Sequence, residues 1–142
     1  MSLESIKLLV DELTTLHFSR GVQPSDLIDN LFENAYVEST SRKTSNGVVF
    51  EITFLESDED GCPVKVAMRY TYDSSRNLVL IEQKVAAKKY AIQWDRAVSI
   101  SQRVERLEAM LATSLPKEKV TAILATIPDD FVAMFPHLKL VA

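Results

Sequence analysis

The sequence predicts an α+β fold, and two observations carry the prediction. Apolar residues recur at helical spacing near both ends of the chain, whereas from about residue 46 to residue 85 they alternate with a period of two. Helices and strands therefore come in blocks, which favours an antiparallel sheet flanked by helices over a parallel α/β sheet. With 142 residues, 46% of them hydrophobic, a core is within reach without disulfides or metals, and one α+β domain spanning 1–142 is expected.

Leu3, Ile6, Leu9, Val10, Leu13 and Leu16 share one helical face, with Glu4, Lys7, Asp11 and Glu12 between them, so a helix is expected from about 3 to 18. Pro24 suits a first helical turn, and Leu27, Ile28, Leu31 and Phe32 follow it in a 0-1-4-5 pattern on one expected apolar face. Together these read as an N-terminal helical hairpin with an acidic exterior. Asn46-Gly47 is then a strong hairpin signal. The run from Val48 to Leu55 alternates with Phe50, Ile52 and Phe54 on one side, and Val64 to Tyr72 alternates with Met68 and Tyr70. Asp73 to Asn77 makes a turn, and Leu78 to Val85 is a further strand. Tyr36 to Ser45 is polar and fits either an edge strand or a loop, so the expected meander has three or four strands.

From about Ala86 the spacing predicts a long helix, with Trp94, Ala97, Ile100, Ser101, Val104, Leu107 and Leu111 on one arc. Two shorter C-terminal helices follow, one after Pro116 with Val120, Ile123, Leu124 and Ile127 inward, the other opened by Pro128.

The net charge of −4 is an average over unlike parts. Residues 1–60 hold twelve acids and four bases, whereas residues 61–119 hold eleven bases and six acids. Lys84, Lys88, Lys89, Arg96, Arg103 and Arg106 concentrate in the stretch 84–106, and on the expected helix they form a basic face suited to an acidic protein surface or to phosphates. The acidic total opposes non-specific nucleic-acid binding, which makes nucleic acid the weaker option. Near the end, residues 131–142 carry Phe131, Met134, Phe135, Leu138 and Leu140 with Lys139 as the one full charge, so this tail must be covered by the domain itself or by another chain.

Chemical motifs are sparse. Glu56, Asp58, Asp60 and Gly61 match the start of a calcium-loop register, but Pro63 and Ala67 stand where that register needs other residues. Cys62 has neither a neighbouring base nor a helix N-terminus in sequence, and two histidines with one cysteine give no zinc spacing. No phosphate loop or nucleophile elbow occurs. No apolar run approaches membrane-spanning length, and the opening residues lack a basic region followed by an apolar block, so a cytoplasmic chain without a cofactor is expected.

These readings favour a non-enzymatic protein-interaction module, an adaptor, regulator or chaperone-like protein, acting as a homodimer. The alternatives are a small-molecule or lipid binder, with a pocket between sheet and long helix lined by Phe50, Ile52, Phe54, Met68, Tyr70 and Trp94, and a nucleic-acid binder using the 84–106 face.

Overall fold

Alternation of apolar and polar residues along the middle of the chain builds a five-stranded antiparallel sheet in which each strand pairs with the next. The computed structural model describes residues 3–114, 117–126 and 128–129. The strands are β1 (Tyr36–Lys43), β2 (Gly47–Ser57), β3 (Pro63–Asp73), β4 (Leu78–Val85) and β5 (Ala91–Asp95). The helices are α1 (Leu3–Phe18), α2 (Pro24–Ile28), α3 (Arg96–Ser114) and α4 (Lys117–Leu124), and a 3-10 turn over Asp29–Phe32 continues α2. The α+β class is as the sequence predicts. The chain forms two units, a sheet unit over Arg20–Arg96 and a helical unit made from Met1–Ser19 and Ala97–Ala142.

In the sheet unit, the even-numbered residues of β2 meet the even-numbered residues of β3 on one face. Phe50 stands opposite Tyr70, Ile52 opposite Met68 and Phe54 opposite Val66. Phe50, Ile52, Tyr72 and Leu78 are the buried heart of this face, and Leu27, Tyr36, Val48, Met68, Tyr70, Ile81 and Trp94 pack against them. Burying each large apolar side chain contributes roughly 1.5 to 3 kcal/mol relative to leaving it in water. Aromatic pairs tie the strands laterally, with Tyr36 and Phe54 rings 5.2 Å apart and Phe50 and Tyr70 rings 6.5 Å apart. In the helical unit, Ile6, Leu9, Val10 and Leu13 of α1, Val104, Leu107 and Leu111 of α3 and Ile123 of α4 are buried, as their 3.6-residue periodicity predicts.

The polar segment from Tyr36, which in sequence fits either an edge strand or a loop, is a strand, paired with β2 from Lys43 opposite Val48 to Tyr36 opposite Phe54. Three expectations need correction. The meander has five strands, not three or four, because Ala91–Asp95 adds one. The long helix begins at Arg96, not near Ala86: Ile92 and Trp94 lie on β5, opposite Glu82 and Ile81 of β4, so main-chain pairing overrides an apolar spacing that fits a helix equally well. The second helix is one and a half turns long before it tightens into the 3-10 turn, and of its expected apolar face only Leu27 and Leu31 are half-buried, while Ile28 and Phe32 are exposed. The short helix expected from Pro128 and the tail 131–142 lie outside the described residues.

Gly47 shows why the hairpin signal holds. Its φ is not positive, so conformational freedom in the turn is not the reason for glycine. A Cβ at this position would collide with the main-chain carbonyl of Tyr72 on β3, and only glycine lets the two backbones approach this closely.

Candidate interaction surface

β1 is an edge strand, since β2 is the one strand it pairs with among the described residues. Which of its main-chain groups face outward follows from the hairpin. The Thr44 N–H donates to the Gly47 carbonyl at 2.8 Å, closing the β1–β2 turn. Antiparallel bonding alternates from there, so Arg42, Thr40 and Glu38 direct N–H and C=O toward β2, whereas Lys43, Ser41 and Ser39 direct theirs away from the sheet. A bulge between Tyr36 and Glu38 ends the regular stretch, leaving Val37 without an opposite number on β2. The result is a straight segment, Glu38 to Lys43, whose outer donors and acceptors are positioned as a template for another strand.

Apolar side chains border the start of this edge. Phe32 is 91% exposed, Val37 50% and Ile28 46%. The Tyr36 N–H donates to the Glu33 carbonyl at 3.1 Å, which fastens the end of the 3-10 turn to the start of β1. Leu27, four residues before Leu31, anchors α2 on the core and so turns Ile28 and Phe32 outward. An aromatic ring is thus left almost wholly in water next to an edge that is unpaired among the described residues.

The other face of the sheet carries a polar cluster that is internally paired. Arg69 on β3 stands opposite Glu82 on β4, and its Nε and Nη2 donate to the two carboxylate oxygens, each at 2.9 Å. The Arg69 guanidinium also lies 3.8 Å from the centroid of the Tyr90 ring, and the Lys84 ammonium lies 5.8 Å from it. Glu82 holds the Arg69 guanidinium ionised above its ordinary range, chiefly by accepting its hydrogen bond. Partial burial, with the negative charge of Glu51 behind it, pushes the Tyr90 hydroxyl upward, against the opposing charge of Arg69. Arg69, Glu82 and Tyr90, engaged with one another in this way, act as a clamp across β3, β4 and the turn before β5.

A cleft of about 410 Å³ opens at the end of the sheet where the β1–β2 and β3–β4 turns meet α2. Val48, Pro24 and Tyr72 line it with apolar surface, and Lys43 and Arg76 bring two positive charges against the negative charge of Asp73. The Gln23 side-chain amide donates to the Arg76 carbonyl at 3.0 Å and to the Gly21 carbonyl at 3.2 Å, tying the segment before α2 to the β3–β4 turn. Tyr72 donates its hydroxyl proton to the Val22 carbonyl at 2.7 Å, and burial pushes its pKa up to about 12.

Comparison with protein-family models, curated proteins and solved structures finds no match. The surface is therefore read from its own geometry.

Of the basic residues singled out in sequence, Lys84 lies on β4, Lys88 and Lys89 in the turn before β5, and Arg96 at the first position of α3. They do not share a helix face, because the helix starts after most of them. These four belong to the sheet unit, whereas Arg103 and Arg106 belong to the helical unit. Arg103 is committed to its own neighbours, donating to Glu12 of α1 at 3.1 Å and to the Ser99 carbonyl at 3.1 Å. Among the expected pocket residues, Phe50 and Ile52 are buried core, Phe54, Met68, Tyr70 and Trp94 are half-buried on the same sheet face, and none of the six lines the cleft. Phe131, Met134, Phe135, Leu138 and Leu140 lie outside the described residues. At the acidic tip, one Asp58 carboxylate oxygen accepts the Asp60 and Cys62 N–H groups at 2.9 and 2.8 Å, a turn-forming role.

Sequence reasoning left β1 open between an edge strand and a loop, and it missed the exposure of Ile28, Phe32 and Val37 and the Arg69–Glu82–Tyr90 clamp. The clamp left no local signal, since its members come together through strand register. The edge left one: a polar strand-length segment next to a strong hairpin signal is the composition natural sheets use at their borders.

Proposed function

We propose that this chain is a cytoplasmic, non-enzymatic protein-interaction module that works as a homodimer, and that the sheet unit docks its partner along the outer edge of β1. The observation that carries this reading is the conjunction of outward main-chain groups at Ser39, Ser41 and Lys43 with the 91% exposed ring of Phe32 at the head of the same edge. Strand addition supplies affinity through main-chain hydrogen bonds, and apolar side chains flanking the edge supply selectivity. The mutual pairing of Arg69, Glu82 and Tyr90 fits this non-catalytic role, as it leaves that cluster structural.

Affinity capture with the full chain tests the reading when wild type is compared with Ser41→Pro and Phe32→Asp. Proline removes an N–H that faces away from β2, so the β1–β2 ladder survives while the outer edge loses a donor. Partners, self included, that are lost with both variants support edge docking. Partners retained by both overturn it.

A second reading, binding of a small anionic molecule, is favoured by the cleft beneath Lys43 and Arg76, whose volume is in the range of small-ligand sites. Thermal shift against phosphorylated and carboxylated metabolites, compared between wild type and Lys43→Ala/Arg76→Ala, tests it. A stabilisation absent from the double variant supports it, and no stabilisation of wild type dismisses it.

A further inference from the structure

We infer that the occupant of the β1 edge is the β1 edge of a second copy, joined across a two-fold axis in one register: Thr40 opposite Thr40, Ser39 opposite Ser41, and Glu38 opposite Arg42. This rests on the reading of β1 as the docking edge and adds to it the identity of the partner and the alignment.

The charges on β1 select the register. Two copies of a strand paired antiparallel about a two-fold axis perpendicular to the sheet keep each face on its own side, so residues on the same face meet. Glu38, Thr40 and Arg42 share one face, standing opposite Thr53, Glu51 and Val49 on β2. Centring the axis on Thr40 sets Glu38 of each copy against Arg42 of the other, giving two opposite-charge pairs. A centre on Glu38 or on Arg42 sets like charges face to face. A centre on Ser41 pairs Arg42 with Thr40 and leaves Glu38 opposite Thr44, so no ion pair forms. Opposite charges directly across an antiparallel pair stabilise it, and like charges there destabilise it by a similar amount.

The hydrogen-bonding phase agrees with this register. Ser39 and Ser41 are the residues whose N–H and C=O point outward, and in the Thr40-centred pairing they meet each other on both sides of the axis. Thr40 and the Glu38–Arg42 pairs then occupy non-hydrogen-bonded positions, where side chains of opposed residues come closest. The bulge at Val37 ends the pairing just beyond the ion pairs, which limits the contact to the complementary stretch.

The antiparallel arrangement also accounts for the apolar border. It brings the Arg42–Lys43 end of each β1 to the end of the other copy where Ile28, Phe32 and Val37 are exposed. There the aliphatic stems of the two basic side chains can cover apolar surface, and a guanidinium can lie over an aromatic face. The two five-stranded sheets become one continuous sheet, and a pairing that closes on itself consumes the edge instead of leaving it to recruit further chains.

Sedimentation equilibrium of the full chain across the micromolar range is the test, with circular dichroism confirming that each variant is folded. Wild type is expected to dimerise reversibly. Glu38→Arg and Arg42→Glu, both at exposed positions, are each expected to weaken self-association roughly tenfold or more, because either change turns both ion pairs into repulsions. An equimolar mixture of the two variants is expected to regain dimerisation, since each then presents the sign that the other lacks. Thr40→Cys in a Cys62→Ser background is expected to form an intermolecular disulfide under mild oxidation. A wild-type monomer throughout the range, a dimer indifferent to both charge reversals, or a mixture that does not recover overturns the proposal. Should the chain be monomeric while Ser41→Pro still abolishes capture of another protein, edge docking stands and self-pairing alone fails.

Discussion

Arg69 and Glu82, thirteen residues apart in sequence, face each other directly across β3 and β4 and share two hydrogen bonds of 2.9 Å. The planar guanidinium fork matches the carboxylate, and the Tyr90 ring closes over the guanidinium at 3.8 Å. This cross-strand pair supports the β3–β4 register and ties the turn before β5 to it.

Replacing Arg69 by Lys keeps the charge and loses the fork. The expected cost is about 1 kcal/mol of stability, since an ammonium makes neither the bidentate contact nor the same stacking. Urea denaturation of wild type and variant measures it, and a midpoint unchanged by R69K would show that the fork contributes nothing.

Burial raises the Tyr72 pKa to about 12, from an ordinary 10.0. A raised folded-state pKa means that the unfolded chain ionises first as pH increases. The stability contributed by the neutral, hydrogen-bonded hydroxyl is complete below pH 10 and is lost as pH rises through about 12. The total loss expected is about 2 to 3 kcal/mol. Tyrosinate absorbance should show one late-titrating ring that Tyr72→Phe removes, and that variant should lose stability less steeply with alkali.

Asp73 behaves oppositely. Burial acts to raise its pKa, but hydrogen bonds from the Asn77 N–H and side-chain amide and from the Ser75 N–H, together with the charge of Arg96, hold the carboxyl below its ordinary range. The stability it confers is present above the unfolded value of 3.8 and disappears as pH falls through the lowered folded value. Asp73→Ala is therefore expected to cost about 1 to 2 kcal/mol at neutral pH and much less in acid. Denaturation curves at the two pH values check it.

Gly21 and Gly47 should both resist substitution, for different reasons. Gly21 has a φ of +79°, and a Cβ there would lie 2.8 Å from the Leu78 Cβ, so Gly21→Ala is expected to cost about 1 to 2 kcal/mol. Gly47→Ala is expected to cost at least as much, because its Cβ meets the Tyr72 carbonyl and rigid backbone must move. Thermal unfolding ranks the two.

Phe32 and Leu27 test whether exposure and burial divide function from stability. Leu27 packs on the Phe50–Ile52 core, and Leu27→Ala should destabilise the fold by about 1 kcal/mol or more. Phe32→Ser should change stability by less than about 0.5 kcal/mol, as the ring touches mainly water. Chemical denaturation of both variants decides the matter.

Much of the fold was legible along the chain. The helical face of Ile6, Leu9, Val10 and Leu13, the alternation of Phe50 and Ile52, and the turn-forming Asp73 all act over a few residues, so periodicity and turn chemistry determine them wherever the chain is read. Charge segregation along the chain points to a basic helix face, but the helix begins at Arg96, after Lys84, Lys88 and Lys89. Tertiary structure alone decided that Tyr36–Lys43 and Ala91–Asp95 are strands, because a strand's hydrogen bonds belong to its neighbour and not to itself. It also decided that Leu27 turns inward and Phe32 outward, since burial depends on what packs above a residue and not on its hydrophobicity. The free edge, with Glu38 and Arg42 set two residues either side of Thr40, was present in the sequence throughout. It acquired meaning only when pairing with β2 on one side left the other side open among the described residues.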